Sequence, residues 1–572
     1  MRKNYFLKKH WLTGLLLGIL FIGTTNCTIK EKQTQRPNVI VILTDDMGYS
    51  DIGCFGSEIN TPNIDHLAAT GLRFTQFYNT ARCSPTRASL LTGLYPHQAE
   101  MGQLAFYNHE EEGYRDDLSK NAVTLAELFK ANGYSTYMAG KWHLCYDVEP
   151  DGDKSNWPLQ RGFDRHFGTL TGSGSFYNPS GLVSGNHYIS PGNDFYYTEA
   201  ISDTTVKFIN EHPAEKPFFV YVAYTAAHWP LQAPEEEIAK YKGVYDKGWD
   251  ETRKERFAKL KRLGIIDERC VLTERGVDIP EWKDEEMKEW QTRRMEVYAA
   301  MVDIMDQGIG RIITALENRG MLENTIIFYL HDNGGCAEAQ GENKPALPLT
   351  EEQKILRPYA EDSILYGRKP EYARDGRYVR RGRGIMAGPA DTWVAYGEEW
   401  ANVSNTPFRM YKHWVHEGGI STPMIVHWPN GIKATNELRS QPSHLIDIMA
   451  TCIDVAHLDY PKEYNGREIQ PYEGKSLVPA FENKPVDRDY IIWEHEGNRA
   501  IRVGNWKLVS KVKKLKKFTS EDENTWELYD MENDRSETVN LAEKHPEKVK
   551  ELADLWEKEA VRTKIKPWPW DK

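Results

Sequence analysis

The sequence predicts an α/β fold: a large, mostly parallel central sheet flanked by helices, then a smaller C-terminal α+β domain of antiparallel strands and a helix. Three observations predict it. Short apolar, β-rich runs recur at 38–44, 135–139, 218–224, 325–330 and 424–428 with helical stretches between them, which is the alternation of a sheet built through crossover helices. Polar residues follow four of these runs closely: Asp45 and Asp46, Lys141 and His143, His228, and Asp332 with Asn333. Ligands in open α/β sheets bind beyond the carboxyl ends of the strands, so these positions are where chemistry is expected. From about Asp487 the pattern changes to alternating segments at 490–494, 499–503 and 506–511, with a helix from about Pro546. That pattern suits a small antiparallel sheet with a packing helix.

A chain of 572 residues exceeds what one hydrophobic core usually organises. The expected division is a main domain over 37–486 and a C-terminal subdomain over 487–572. Within the first, a charged helical insertion is expected near 234–294 and an irregular one, rich in Gly, Pro and Arg, near 335–405. Insertions at a sheet's carboxyl edge commonly shape pockets. The formal charge of -12 repels a nucleic-acid backbone, so no nucleic-acid partner is expected, and any anionic substrate must meet a local basic pocket. The basic run at 511–517 reads as a solvated hairpin.

Residues 1–27 read as a signal peptide. Arg2, Lys3, Lys8 and Lys9 precede an apolar run over about 11–23, too short to cross a bilayer as a helix. Cys27, after Thr24, Thr25 and Asn26, sits where a lipoprotein signal places its lipidated cysteine. The expectation is an exported, periplasmic or cell-surface protein, lipid-anchored at the membrane through Cys27, released by ordinary cleavage, or held by an uncleaved anchor. The seven cysteines are scattered, without the spacing of a disulfide framework. Cys54, Cys145, Cys270 and Cys452 read as small packing residues.

Cys83 stands apart. In Cys83-Ser84-Pro85-Thr86-Arg87, followed by A-S-L-L-T-G, Pro85 suits a first helical turn and Gly93 a stop. Cys83 is therefore placed at a helix N-terminus, which favours negative charge, and Arg87 lies on the same helix face. Asp45, Asp46, Asp332 and Asn333 offer only oxygen donors, a set for a hard cation such as calcium or magnesium. Taken alone, an Asp-Asp pair also fits a helix cap or a turn.

The segment C-S-P-T-R-A-S-L-L-T-G resembles the signature of the type I formylglycine-dependent sulfatases of the alkaline phosphatase-like superfamily. N-V-I-V-I-L-T-D-D at 38–46, G-L-R-F-T at 71–75, G-K-W-H at 140–143, A-A-H-W-P at 226–230, H-D-N-G at 331–334, Lys412 ahead of E-G-G, and L-Y-D at 528–530 extend the likeness. The resemblance implies that Cys83 is oxidised to 3-oxoalanine (formylglycine) by a maturation enzyme. It implies that Asp45, Asp46, Asp332, Asn333 and the modified Cys83 bind one Ca2+. It further implies that Lys141 and Lys412 contact sulfate with Arg87 nearby, that His143 assists the nucleophile, and that His228 protonates the leaving oxygen.

The stretch 408–423 is similar to an arylsulfatase-like branch that includes bacterial carbohydrate sulfatases. Export and aromatic-rich insertions favour exo-acting desulfation of a sulfated carbohydrate, a galactose sulfate being one example, since aromatic faces stack on sugar rings. Arg73, His166 and Glu338 are the candidate substrate contacts. The alternatives are an arylsulfatase, a phosphodiester or phosphonate monoester hydrolase, or a protein that only binds sulfated glycan if Cys83 is not matured.

Overall fold

The protein is represented by a computed structural model that describes residues 36–571 apart from 342, 367–368, 514–521 and 523–524. The expected signal segment with Cys27, and part of the basic run at 511–517, lie outside the described residues. Eleven strands form one sheet: β1 Asn38–Thr44, β2 Leu72–Tyr78, β3 Ser135–Gly140, β4 Arg165–Thr169, β5 Leu182–Ser184, β6 His187–Tyr188, β7 Phe218–Ala223, β8 Thr325–His331, β9 Ser421–His427, β10 Glu437–Arg439 and β11 Ser443–His444. Their order is β10-β2-β9-β8-β1-β7-β3-β4-β5-β6, with β11 also on β2.

The central strands β8, β1, β7 and β3 are mutually parallel, as expected, and β4, which the expected runs did not include, continues the parallel order. The run expected at 424–428 forms β9, but it is antiparallel to both β8 and β2. The reason is local. The chain enters β9 directly from the short helix Glu417–Ile420, and Gly334, just past the end of β8, donates its N–H to Gly419 O. The chain is thus already at the carboxyl edge and can only run back.

Both faces of the sheet are covered, which is why its strands read as continuous apolar runs. On β1, Ile40 and Ile42 enter one core while Val39, Val41 and Leu43 enter the other. The first core is closed by the helices Lys288–Asn318 and Tyr197–Asn210. Helices Cys83–Thr92, Leu125–Ala131 and Asp447–Ala456 contribute to the second. Thr124 and Glu127 form a capping box at the start of Leu125–Ala131, satisfying two end donors reciprocally.

The first insertion folds as the helices Glu235–Ala239 and Gly248–Arg262 leading into Lys288–Asn318, and the second is irregular until the helix Gly397–Ser404. After the hairpin of β12 Glu463–Tyr464 and β13 Arg467–Glu468 comes the four-stranded antiparallel sheet of β14 Ile491–His495, β15 Asn498–Val503, β16 Trp506–Ser510 and β17 Trp526–Asp530, with the helix Pro546–Arg562. A buried ion pair fastens this sheet to the large one. Lys507 Nζ of β16 lies 2.9 Å from Glu417 Oε1 and 2.7 Å from Glu537 Oε1, all three side chains fully buried. Removing one partner of such a set strands buried charge, so Lys507→Met is expected to lower stability by about 3–5 kcal/mol. Urea denaturation of the variant against wild type measures this, and a change under about 1 kcal/mol would remove Lys507 as a structural tie.

Candidate active site

The helix Cys83–Thr92 is buried along its whole length and ends in Gly93 at φ 69°, the left-handed stop expected from the sequence. Arg82 precedes it with extended backbone. Cys83 is 3% exposed and lies close enough to Arg82, Arg87 and Lys412 to interact with their charges. Thr86 fixes the helix against β8 by donating its hydroxyl to Asp332 O at 2.6 Å.

The carboxyl ends of four strands meet at this helix. Arg87 Nη2 lies 3.2 Å from Asp45 Oδ2 and 3.0 Å from Asp332 Oδ2, and Arg87 Nη1 donates to Lys141 O at 3.1 Å and toward Tyr221 Oη at 3.4 Å. Lys141 Nζ lies 2.5 Å from Asp45 Oδ2, and Lys412 Nζ lies 2.6 Å from Asp46 Oδ1. The loop after β7 is zipped onto β1: Asp45 N–H donates to Ala226 O and Ala227 N–H donates to Asp45 O. That holds His228 Nε2 at 3.4 Å from Asp46 Oδ2. Lys412 is set by its own N–H to Gly335 O, and the next residue by its N–H to Ala81 O. His143, at φ 57°, is buried near Phe106 at a ring separation of 6.2 Å.

Burial alone pushes the Asp45 carboxyl up, but the charges of Lys141, His228, Arg87 and Lys412 outweigh it and hold Asp45 well below the usual range. Asp46 is likewise lowered, burial being overcome chiefly by His228 and Lys412. Asp332 is pushed up to about 7 by burial and the neighbouring Asp45 charge, against Arg87 and Lys141. Burial drives His228 down to about 4 despite Asp46.

The donor set fits a hard cation. Asp45 Oδ1, Asp46 Oδ2 and Asn333 Oδ1 are buried and accept no hydrogen bond among the described residues, and buried oxygens of this kind require a partner. Asp45, Asp46 and His228 each offer a ligand atom within 4.8 Å of the others. The oxygens are the better match, because His228 Nδ1 lies 2.7 Å from Trp229 O and an imidazole does not suit calcium or magnesium. Asp332 carboxylate oxygens face Asp46 N–H at 3.2 Å and Arg87.

Of the three candidate substrate contacts, Glu338 reaches this region. Its Oε1 lies 2.8 Å from Arg82 Nη1 and 3.1 Å from His413 Nε2, and its Oε2 accepts from Trp229 Nε1 at 3.0 Å. It thereby joins the neighbours of Cys83, Lys412 and His228. Arg73 is not brought to the cluster. It lies near the amino end of β2, where it hydrogen-bonds Cys54 O and Asn436 Oδ1. His166 is buried inside β4 beside Met138 of β3 rather than beyond the strand ends, and burial lowers it to about 4. Sequence reasoning passed over Arg82, Trp229, His413 and Tyr221. The first three carried one available signal, adjacency to Cys83, His228 and Lys412, while Tyr221 is hidden inside an apolar strand.

Oxygen donors, buried cations and imidazoles meeting at a helix N-terminus define a centre for hydrolysing an anionic ester. Residues 37–458 match the model of the Sulfatase family, and 408–564 match that of the N-sulphoglucosamine sulphohydrolase C-terminal region. The chain belongs to the Sulfatase family and is a sulfuric ester hydrolase. An uncharacterized sulfatase of Schizosaccharomyces pombe is 34% identical over 92% of this chain and 94% of its own length. An arylsulfatase of Klebsiella aerogenes is 36% identical over 78% of this chain and 92% of its own. An N-acetylglucosamine-6-O-sulfatase of Bacteroides thetaiotaomicron is 25% identical over 95% and 90% respectively. The crystal structure of Ps i-CgsB in complex with k-i-k-neocarrahexaose shares the fold, with a TM-score of 0.61 at 24% identity over 93% of this chain and 98% of that one.

Gly140 sets the position of Lys141. It has φ 118°, and a Cβ there would lie 1.9 Å from Ala223 O on β7. Gly192 has φ 80° with open space around it, so Gly192→Ala carries only the backbone cost, about 1–3 kcal/mol. Gly140→Ala is expected to cost measurably more in thermal denaturation and to depress activity. Equal costs for the two variants would show that the close approach does not matter.

Proposed function

We propose that this chain hydrolyses sulfate esters of carbohydrates through a formylglycine made from Cys83, with Ca2+ held by Asp45, Asp46, Asp332, Asn333 and the modified side chain. The observation that carries this reading is the convergence of Arg87, Lys141, His228, Lys412 and the carboxylates on the N-terminus of the Cys83 helix. A hydrated aldehyde at Cys83 supplies one hydroxyl to attack sulfur and a second through which sulfate is released, an exit that a plain thiol or alcohol lacks. The cation supplies Lewis-acid and template chemistry to the same oxygens.

Charge supports this assignment. With Asp332 ionised, as a bound cation would favour, Asp45, Asp46 and Asp332 oppose Arg87, Lys141 and Lys412 three against three, so a divalent cation leaves room for a singly charged sulfate ester and a deprotonated nucleophile. Lys141 and Lys412 stabilise charge on the sulfate oxygens, and Arg87 holds the carboxylates that frame them. His143 takes a proton from the nucleophilic hydroxyl, and His228, neutral in the resting site, takes up a proton when the anionic substrate binds and gives it to the leaving oxygen.

A saccharide leaving group is supported by the rim. Trp229, half-buried and 6.1 Å from Trp393 in ring separation, offers an aromatic face beside the Glu338 carboxylate. The names of the Bacteroides thetaiotaomicron relatives, sulfatases of N-acetylglucosamine and N-acetylgalactosamine, point the same way. An aryl sulfate is the second reading, favoured by the 36% identity to the Klebsiella arylsulfatase. The proposal extends to export, with the chain reaching the periplasm or cell surface and Cys27 carrying a lipid.

Coexpression with a maturation enzyme is expected to yield a Cys83 peptide about 18 Da lighter than the unmodified one by mass spectrometry. Cys83→Ala should be inactive on a panel of sulfated saccharides, aryl sulfates and phosphate esters. Full activity of that variant sinks the mechanism, and a preference for aryl sulfates or phosphate esters sinks the saccharide assignment.

Chelation of the purified enzyme should abolish activity and lower the melting temperature, and Ca2+ should restore both. Asp45→Asn should lose the thermal response to Ca2+. A wild-type melting temperature indifferent to chelator and calcium contradicts the cation assignment.

A further inference from the structure

Beside the oxygen-rich centre lies a second cluster with different donors. His413, His495 and Glu496 each present a ligand atom within 4.8 Å of the other two. His495 ends β14 and Glu496 begins the turn into β15, with Glu496 at φ 51°. Successive residues of a strand point to opposite faces, and the left-handed backbone at Glu496 turns both side chains to one side. His413, at φ 87°, approaches from the loop that carries Lys412. Asn498 Nδ2 ties the two segments by donating to His495 O at 2.9 Å and toward His413 O at 3.4 Å.

His495 is the observation that points to a ligand. Its side chain is fully buried, and neither ring nitrogen has a hydrogen-bond partner. Its Nε2 lies 3.8 Å from Glu496 Oε1, beyond hydrogen-bond reach. An imidazole buried with both nitrogens unmet is costly unless something else engages one of them.

The surroundings are those of a metal-ligating histidine. His413 Nε2 lies 3.1 Å from Glu338 Oε1, leaving Nδ1 turned toward Glu496 Oε2 at 3.1 Å. A ligand imidazole typically directs its other nitrogen to a carboxylate in this way. Gln103 Nε2 donates to Glu496 Oε1 at 2.9 Å, orienting that carboxylate. Arg82 Nη1 lies 2.5 Å from Nε2 of His413 and 3.4 Å from its Nδ1, and its charge is met by Glu338.

We propose that His413, His495 and Glu496 form a binding site for a transition-metal dication, best matched by Zn2+. Two imidazole nitrogens and one carboxylate oxygen are a zinc donor set with an open fourth position. Bonds of about 2.0–2.2 Å require the donor atoms to draw closer than they stand, through side-chain rotation. The ion ties the β14–β15 turn to the loop carrying Lys412, and so acts on the catalytic centre by position. The site takes a softer metal than the all-oxygen set, so the two are separable.

The test uses the matured full-length protein, stripped with chelator, returned to excess Ca2+ and equilibrated with Zn2+. Metal content after gel filtration is read by mass spectrometry, and Co2+ substitution by visible absorption. Wild type is expected to retain one zinc per chain, and Asp45→Asn should retain it too. His495→Ala and Glu496→Gln should lose it, with circular dichroism confirming that each is folded. Glu338→Gln should weaken zinc binding about 10–100-fold. The proposal is overturned if wild type retains no zinc, if folded His495→Ala and Glu496→Gln keep it, or if it depends on Asp45 instead. Should both single variants fail to fold, His413→Gln carries the same comparison.

Discussion

The Arg87 guanidinium is the joint on which the rest of the structure turns. It is fully buried and touches the carboxylates after β1 and β8, the Lys141 carbonyl after β3 and the Tyr221 hydroxyl of β7. One side chain on the Cys83 helix thus reads the positions of four parallel strands. Taking a guanidinium out of water costs several kcal/mol, and only a complete set of partners offsets that. Burial pulls down the charged form while Tyr221, Asp45 and Asp332 more than restore it, and Arg87 stays protonated far above any accessible pH. The helix N-terminus and the strand ends are consequently locked in one register, with Cys83 at the meeting point.

A second constraint comes from the far end of the chain. Lys412 belongs to an irregular segment, and its place is held by backbone bonds to Gly335 and from its neighbour to Ala81. The segment is anchored from behind through Glu417, which accepts from Lys507 of β16 and Tyr78 of β2. The small C-terminal sheet is therefore part of the apparatus that aims Lys412 at Asp46, although it contributes no residue to the oxygen-rich cluster. The same sheet delivers His495 and Glu496 to the edge of the site through a turn of two left-handed residues, Glu496 and Gly497.

The rim follows a simple rule of adjacency. Arg82, Trp229 and His413 flank Cys83, His228 and Lys412, and Glu338 binds all three. Residues next to Cys83, His228 and Lys412 are pinned by one carboxylate from the second insertion, so a loop far in sequence from each of them sets the spacing of all. Glu338 is held well below the usual carboxylate range because Arg82, His413 and Lys412 overcome its burial.

The sequence by itself determined the parallel strands, the polar residues at their carboxyl ends, the Cys83 helix with its glycine stop, and the antiparallel C-terminal sheet. Each of these is a short-range pattern: apolar runs covered on both faces, a strand end followed by charge, a left-handed stop. The direction of β9, the burial of Arg73 against Asn436, the inward place of His166 and the Arg82–Glu338–His413 network were decided by the tertiary structure alone. They depend on where the chain re-enters the sheet and on which distant side chains share a pocket, and periodicity over a window of residues carries no record of either. A charged residue in the sequence shows that a partner is needed when it is buried, but only packing determines which partner it finds.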